Sequence, residues 1–362
     1  MSSLSTVALM FGGQSPEHEV SVKSARNILR ALDTTRFRIV LIGVDKAGCW
    51  RHMEPDTLLD PATEIVSGGR LLTLIPGLRE GQIRYLHAQQ EPFPQIDAVF
   101  PIIHGPYGED GTLQGILRHL SLPFVGPDVA GSAICMDKDI TKRLLRDADL
   151  LVADYLCFRS HEQDAIDYTA VINQLGSPVF VKPANMGSSV GVRKASTREE
   201  FTAAIHEAFR YDTKVLVESL ITGREVECAV MGNEIPATTS VGEVVMGDGF
   251  YDYDSKYISA TAAEVMIPAS GIDSEMLAKL IQVARSAYQV LNCEGMARVD
   301  MFLCDDGRVY VNEVNTLPGF TNISMYPKLW EHAGTSYTAL ITALIELAQE
   351  RAARDAALEK SR

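Results

Sequence analysis

The sequence predicts an α/β and α+β protein: an amino-terminal open parallel-sheet domain followed by a two-part α+β region. Three observations lead there. Apolar runs alternate with helical periodicity in the first third, paired strand-like runs separated by turn residues recur after it, and 362 residues suffice for two or three separate cores.

Residues 5 to 11 read as a buried strand, after which Gly12 and Gly13 turn the chain into the helical pattern Val20, Ala25, Ile28, Leu29, Leu32. A second strand spans Arg38 to Val44, and the apolar run Ala98 to Ile103 completes the strand and helix alternation of a parallel layer. Residues 45 to 95 are Gly/Pro-rich and irregular, with strand-like pieces such as Arg70 to Ile75, and are placed as an excursion on the edge of that layer. A Gly-dense loop from His104 to Gly111 leads into a helix at Thr112 to Leu120.

A helix beginning near Asp137, the run VADYLCF, a helix around 162 to 175 and paired strands at Val179 to Lys182 and Val190 to Lys194 form a small α+β unit. From Val215 the runs VLVESL, EVECAV, VGEVV, ARVDMFL and VYVNEVN surround a helix at Ser274 to Leu291 and form a third. The closing segment Ser336 to Leu358 is amphipathic and then Ala/Glu/Arg-rich, a terminal helix expected to fray. The expected domains are therefore 1–126, 127–214 and 215–362.

With 46% hydrophobic and 22% charged residues the composition is that of a soluble globular protein. A formal charge of -14 argues against a nucleic-acid or anionic-membrane surface, which needs clustered Lys and Arg, and reads as a solvated acidic surface that aids solubility. Six cysteines without CxxC spacing predict reduced thiols and a cytoplasmic setting. The opening MSSLSTVALMFGG has no basic n-region and reads as a first strand rather than a signal peptide. No apolar stretch approaches the ~20 residues of a membrane span.

Chemistry concentrates near the carboxyl end. The runs containing Arg298 and Asp300, and Glu313 and Asn315, flank the turn signal Asp305, Asp306, Gly307, and a hairpin about that turn sets Asp300 near Glu313 and Asn315. Two carboxylates and an amide oxygen make the oxygen-only set that Mg²⁺ prefers, leaving positions for water and phosphate. The competing reading, Asp300 paired with Arg298 on a solvated face, is weakened by four polar groups at alternate positions in apolar strands. Next comes Thr316-Leu317-Pro318-Gly319, whose glycine admits close backbone approach, so that its amide and Arg298 form a donor pair for a developing oxyanion.

Lys182 enters a Gly/Ser hairpin, Gly187-Ser188-Ser189, whose amides and hydroxyls suit phosphate oxygens; it is not a Walker loop. A surface hairpin is the plain alternative, and the entering lysine favours function. Glu218 and Glu225 flank Leu220 and Ile221 on a strand edge, a weak signal of a base and ribose site. Residues 247 to 261 combine Gly, Asp, Ser and aromatics as a candidate lid, with Lys256 and Tyr257 reaching substrate. His104 follows an apolar strand at the end where α/β sheets bind ligands. Glu19, after the first Gly-Gly turn, could hold a substrate ammonium or simply meet the helix dipole.

Together these motifs resemble the D-alanine:D-alanine ligase family of the ATP-grasp superfamily across essentially the whole chain. His104-Gly-Pro-Tyr-Gly-Glu-Asp-Gly-Thr-Leu-Gln-Gly115 carries one signature, and Gly295 through Arg298-Val-Asp300 to Glu313-Val-Asn315-Thr-Leu-Pro-Gly319 carries the other. The resemblance implies a two-part ATP-grasp fold after the first domain. It implies that Glu19 holds the ammonium of a first D-alanine, hydrogen-bonded with Ser188 and Tyr257. Lys138, Lys182 and Gly187 to Ser189 would bind ATP phosphates, and Glu218, Leu220, Ile221 and Glu225 the adenosine. Asp300, Glu313 and Asn315 would hold two Mg²⁺ (or Mn²⁺), and Arg298 with Gly319 would stabilise the tetrahedral intermediate. His104, Lys256, Ser324 and Met325 would contact substrate, Lys256 and Ser324 at the second carboxylate. A homodimer is implied by the family alone. Acceptance of D-serine or D-lactate as second substrate stays open, as does a catalytically silent nucleotide-binding regulator or a two-domain binding protein, which the intact acid set disfavours.

Overall fold

The computed structural model describes residues 4–63, 65–78, 80–87, 91–246 and 263–359. The amino-terminal unit contains β1 (Ser5–Gly12), α1 (His18–Ala31), β2 (Phe37–Val44), β3 (Trp50–Met53), α2 (Pro55–Leu59), β4 (Arg70–Leu74), β5 (Ile83–Tyr85), β6 (Ala98–Pro101) and α3 (Thr112–His119). Its strands run in the order β5-β4-β3-β2-β1-β6. β1 is parallel to both β2 and β6, and every residue from Val7 to Phe11 is buried because helices cover both faces. Val7, Leu9 and Phe11 face Val22, Ala25 and Ile28 of α1, while Ala8 and Met10 face Leu113 and Leu117 of α3, as a period of two requires. The segment 45 to 95 is more ordered than expected. It supplies three antiparallel strands that extend the parallel centre.

The central unit contains α4 (Val129–Met136), α5 (Lys138–Asp147), β7 (Tyr155–Arg159), α6 (Tyr168–Leu175), β8 (Val179–Pro183), β9 (Arg193–Ala195), α7 (Arg198–Ala208) and β10 (Lys214–Ser219), with strand order β7-β10-β8-β9. Asp137 caps α5 by accepting from the Asp139 and Ile140 amides. The helix expected around 162 to 175 divides into a 3-10 turn, Ser160–Ala165, and α6, which starts where Asp167 accepts from the Ala170 amide at 2.7 Å. β10 pairs antiparallel with β7 and β8, so the run VLVESL belongs to this sheet and the boundary expected at 214/215 cuts across a strand.

The last unit contains β11 (Arg224–Gly232), β12 (Ala237–Met246), β13 (Ala263–Met266), α8 (Ser274–Val290), β14 (Gly295–Leu303), β15 (Val309–Asn315), α9 (Met325–His332) and α10 (Tyr337–Ala356). Its sheet is antiparallel in the order β13-β12-β11-β14-β15, with α8 packed on the face of Val299 and Met301.

The terminal helix does not behave as expected. Leu340, Ile341, Leu344, Ile345 and Ala348 of α10 are buried in the same cluster as Val7, Leu9 and Phe100 of the first sheet. One turn on, buried Arg351 donates to the carbonyls of Phe124 and Gly126 at 2.6 Å each. The polar outer face of α10 concealed an inward stripe at helical spacing. That stripe seams the first and last units together, and a Cβ on Gly295 would lie 3.0 Å from the Gly126 amide nitrogen. Among the described residues, no helix is long and apolar enough to cross a membrane.

Candidate active site

β14 and β15 form the expected hairpin, with Asp300 opposite Glu313 and Arg298 opposite Asn315. Asp300 does pair with Arg298, but on a buried face rather than a solvated one. Its carboxylate takes a two-pronged contact from Arg298, Nε to Oδ1 and Nη2 to Oδ2 at 2.7 Å each, and accepts from Asn315 Nδ2 at 2.9 Å. Arg298 Nε also lies 2.9 Å from Glu227 on β11. Burial alone would lower the Arg298 pKa, but Asp300 and Glu227 outweigh it and hold the guanidinium charged. Three oxygen-bearing side chains from facing strands thus share one face with a fixed cation.

Across from this face the central sheet presents cations. Lys138, in the first turn of α5, donates to the Met186 carbonyl at 2.6 Å, and Lys182 of β8 pairs with Glu218 of β10 at 2.8 Å. Ser188 and Ser189 take φ of 50° and 59°, the left-handed backbone that curls successive amides into a concave turn. Between the sheets lies a cleft of about 1010 Å³, its mouth included, lined by Lys138, Lys182, Gly187, Ser188, Ser189, Glu218, Leu220, Ile221, Glu225 and Glu313. All expected nucleotide residues within the described chain therefore meet in one place.

Phe180, Phe302 and Lys142 are among the residues in or beside the cleft that escaped the sequence reading. Phe180 and Phe302 line the cleft from opposite sheets, and Phe180 shares the Lys182 face of β8 by the period of two, a signal that was legible. Lys142 lies 3.2 Å from Glu218 and is buried; burial brings its pKa down to about 8 against the pull of Glu218. Burial would raise the Glu218 carboxyl, yet Lys142 and Lys182 hold it below the ordinary range. The Glu218 side chain, expected at the adenosine, lines the cleft and also orders two lysines.

Toward the amino-terminal unit the cleft continues into a polar cavity lined by Glu17, His104, Glu109, Gly187, Ser188, Arg298, Glu313, Asn315 and Gly319. The acid here is Glu17, not the expected Glu19. Ser188 Oγ donates to Glu17 Oε1, whereas Glu19 Oε1 pairs with Lys46 at 2.6 Å on the outside. Residues two apart at a helix start project about 200° apart, so only one acid of Glu17-His18-Glu19 can face inward. His104 is also corrected. Both its ring nitrogens are engaged by protein, Nδ1 with the Leu317 carbonyl at 2.9 Å and Nε2 with Ser24 Oγ at 3.3 Å, which makes it wall rather than substrate ligand.

An adjoining polar cavity is lined by Val20, Glu227, Arg298, Asp300, Gly319, Ser324 and Met325. Ser324 Oγ accepts from the Thr321 amide at 2.9 Å, and buried Met325 forms floor. Lys256 and Tyr257, with the expected lid 247 to 261, lie outside the described residues.

Two antiparallel sheets closing on a shared cleft, cations from one and carboxylates from the other, define the ATP-grasp class of fold. The D-ala D-ala ligase N-terminus family model matches residues 6–127 and the D-ala D-ala ligase C-terminus model residues 144–346, so the chain belongs to the D-alanine–D-alanine ligase family. It is 54% identical to a D-alanine–D-alanine ligase A of Chromobacterium violaceum over 98% of both chains. It is 51% identical to the enzyme of that name from Escherichia coli strain K12, again over 98% of each. Among solved structures, the D-alanine-D-alanine ligase of Coxiella burnetii superposes with TM-score 0.85 at 36% identity, covering 98% of this chain and 96% of that one. The VanG D-Ala:D-Ser ligase of Enterococcus faecalis superposes with TM-score 0.84 at 34% identity, covering 96% and 100%.

Proposed function

We propose that this chain joins two D-alanine molecules into D-alanyl-D-alanine for peptidoglycan precursor synthesis, consuming ATP and releasing ADP and phosphate. The observation that carries this is the meeting, in a chain 54% identical to such a ligase, of the Lys138, Lys182 and Ser188-Ser189 cradle with the Asp300, Glu313 and Asn315 face in one cleft. The first carboxylate attacks the γ-phosphorus, forming an acyl phosphate as the bond to ADP breaks. The second amine then attacks the acyl carbon, the C–O bond breaks with its electron pair going to the departing phosphate, and the nitrogen gives up a proton to that phosphate or to solvent.

Lysines and hairpin amides hold the phosphates in line, since alignment and charge neutralisation supply most of the catalysis in phosphoryl transfer. The donor set at Asp300, Glu313 and Asn315 is all oxygen and fits two Mg²⁺ or Mn²⁺, which would supply further charge neutralisation. Glu17, hydrogen-bonded to Ser188, holds the first ammonium. Arg298 and the Gly319 amide receive the oxyanion, and Ser324 takes the second carboxylate; Lys256 and Tyr257 keep the roles the resemblance implies. The enzyme works in the cytoplasm as a homodimer; the free state of its six cysteines supports that compartment.

The D-Ala:D-Ser ligase among its structural relatives makes the second substrate the point to test. Purified protein with ATP and Mg²⁺ is mixed with D-alanine, D-serine or D-lactate, and phosphate release is followed with product mass. D-alanine-dependent phosphate release with the dipeptide mass is expected; release indifferent to D-alanine overturns the assignment. Glu17→Gln should raise the D-alanine KM by about tenfold or more, the worth of one charge-assisted bond. Glu19→Gln should leave it near wild type, and the reverse order would restore Glu19 to the site.

A further inference from the structure

The segment Thr316–Phe320, which carries the Gly319 amide, follows β15 of the last unit but is gripped by side chains of the first. The Leu317 amide donates to Glu109 Oε1 at 2.9 Å, and Glu109 Oε2 accepts from the Gly105 amide at 2.7 Å. The Leu317 carbonyl accepts from His104 Nδ1 at 2.9 Å, which puts the ring proton there and leaves Nε2 to accept from Ser24 Oγ. Ser24 Oγ in turn accepts from the Phe320 amide at 3.2 Å, and Asn27 Nδ2 donates to the Phe320 carbonyl at 3.0 Å. His104 and Ser24 are buried, and burial keeps the imidazole neutral, as a ring that donates at one nitrogen and accepts at the other must be. The peptide units on either side of the Pro318–Gly319 unit are thus fixed from across the unit boundary, and the Pro318 ring fixes φ between them.

We infer that Glu109 and His104 are positioning residues for the ligation, presetting the Gly319 amide for the developing oxyanion before substrate arrives. This rests on the function proposed above. Neither residue touches the reacting atoms. Their effect is geometric: an oxyanion donor helps only when it already stands where the charge will form, and a shift of about 1 Å costs on the order of 100-fold in rate. The Gly-dense loop after β6 is then a clamp on the catalytic segment, contributed by a unit that otherwise receives the first amino acid.

The test is Glu109→Gln. Glutamine is nearly isosteric, but one of its two terminal atoms is a donor, so it cannot accept from both amides. The expected result is a fall in kcat of about 100-fold, with the ATP KM and the thermal midpoint little changed. Affinity for a phosphinate dipeptide analogue, tetrahedral at the position of the attacked carbonyl, should fall in proportion to kcat. A second arm is independent of folding defects in that variant: His104→Asn retains a donor near Nδ1 and should keep more kcat than His104→Ala. Amide hydrogen exchange at Leu317 should speed up in Glu109→Gln whether or not substrate is present. Unchanged kcat, unchanged exchange, or a loss shared equally by ATP affinity and phosphinate affinity overturns the clamp. Wild-type protein that makes no dipeptide, with exchange altered as expected, overturns the substrate assignment instead.

Discussion

Replacing Glu313 by glutamine is expected to abolish turnover and leave the fold intact. Glu313 sits opposite Asp300 on β15 and lines both the nucleotide cleft and the polar cavity, so it stands where phosphate and acid face meet. Its neighbours Val311 and Val314 carry the packing, while its own side chain is only half-buried. The substitution removes one negative charge from the oxygen set proposed to hold divalent cations against a triphosphate. Such a cation supplies several kcal/mol of charge stabilisation, and at ~1.4 kcal/mol per factor of ten the loss is about a thousandfold or more. Phosphate release at saturating ATP measures it, and a thermal melt checks the fold. Near-normal activity in this variant removes the metal assignment.

Legibility followed sequence distance. The β14–β15 hairpin was readable because Asp305, Asp306 and Gly307 pin its turn locally, and with the turn comes the pairing of Asp300 with Glu313. The Gly/Ser hairpin that lines the cleft was readable because Lys182 and the glycine-serine run are contiguous. What was lost depends on partners far along the chain. Glu109 meets Leu317 across 208 positions, and nothing local to either marks the contact. Glu17 and Glu19 differ only in the side of a helix start that Ser188 approaches. β10 was assigned to the wrong sheet because strand pairing with β7 and β8 is a tertiary fact, and its sequence suits either neighbour equally. The terminal helix was misjudged for a related reason, since the first sheet that buries its apolar stripe lies some three hundred residues earlier.

Arg298→Ala should lower kcat by about 100- to 1000-fold, the usual cost of one oxyanion donor, while the ATP Kd shifts little. The asymmetry follows from position: Arg298 lines the two polar cavities beside Gly319, and the nucleotide cleft is lined by other residues. Truncation has a second consequence, because Arg298 is the cation shared by Asp300 and Glu227, both buried. Removing one partner of a buried pair costs about 3–5 kcal/mol, so part of any activity loss could be lost protein. Arg298→Lys separates the two. It keeps a positive charge between the carboxylates but not the planar fork that engages Asp300 at two points. The thermal midpoint should then recover toward wild type while kcat stays depressed. Recovery of both would reduce the role of Arg298 to charge alone, and equal losses of kcat and ATP affinity in Arg298→Ala would make it structural.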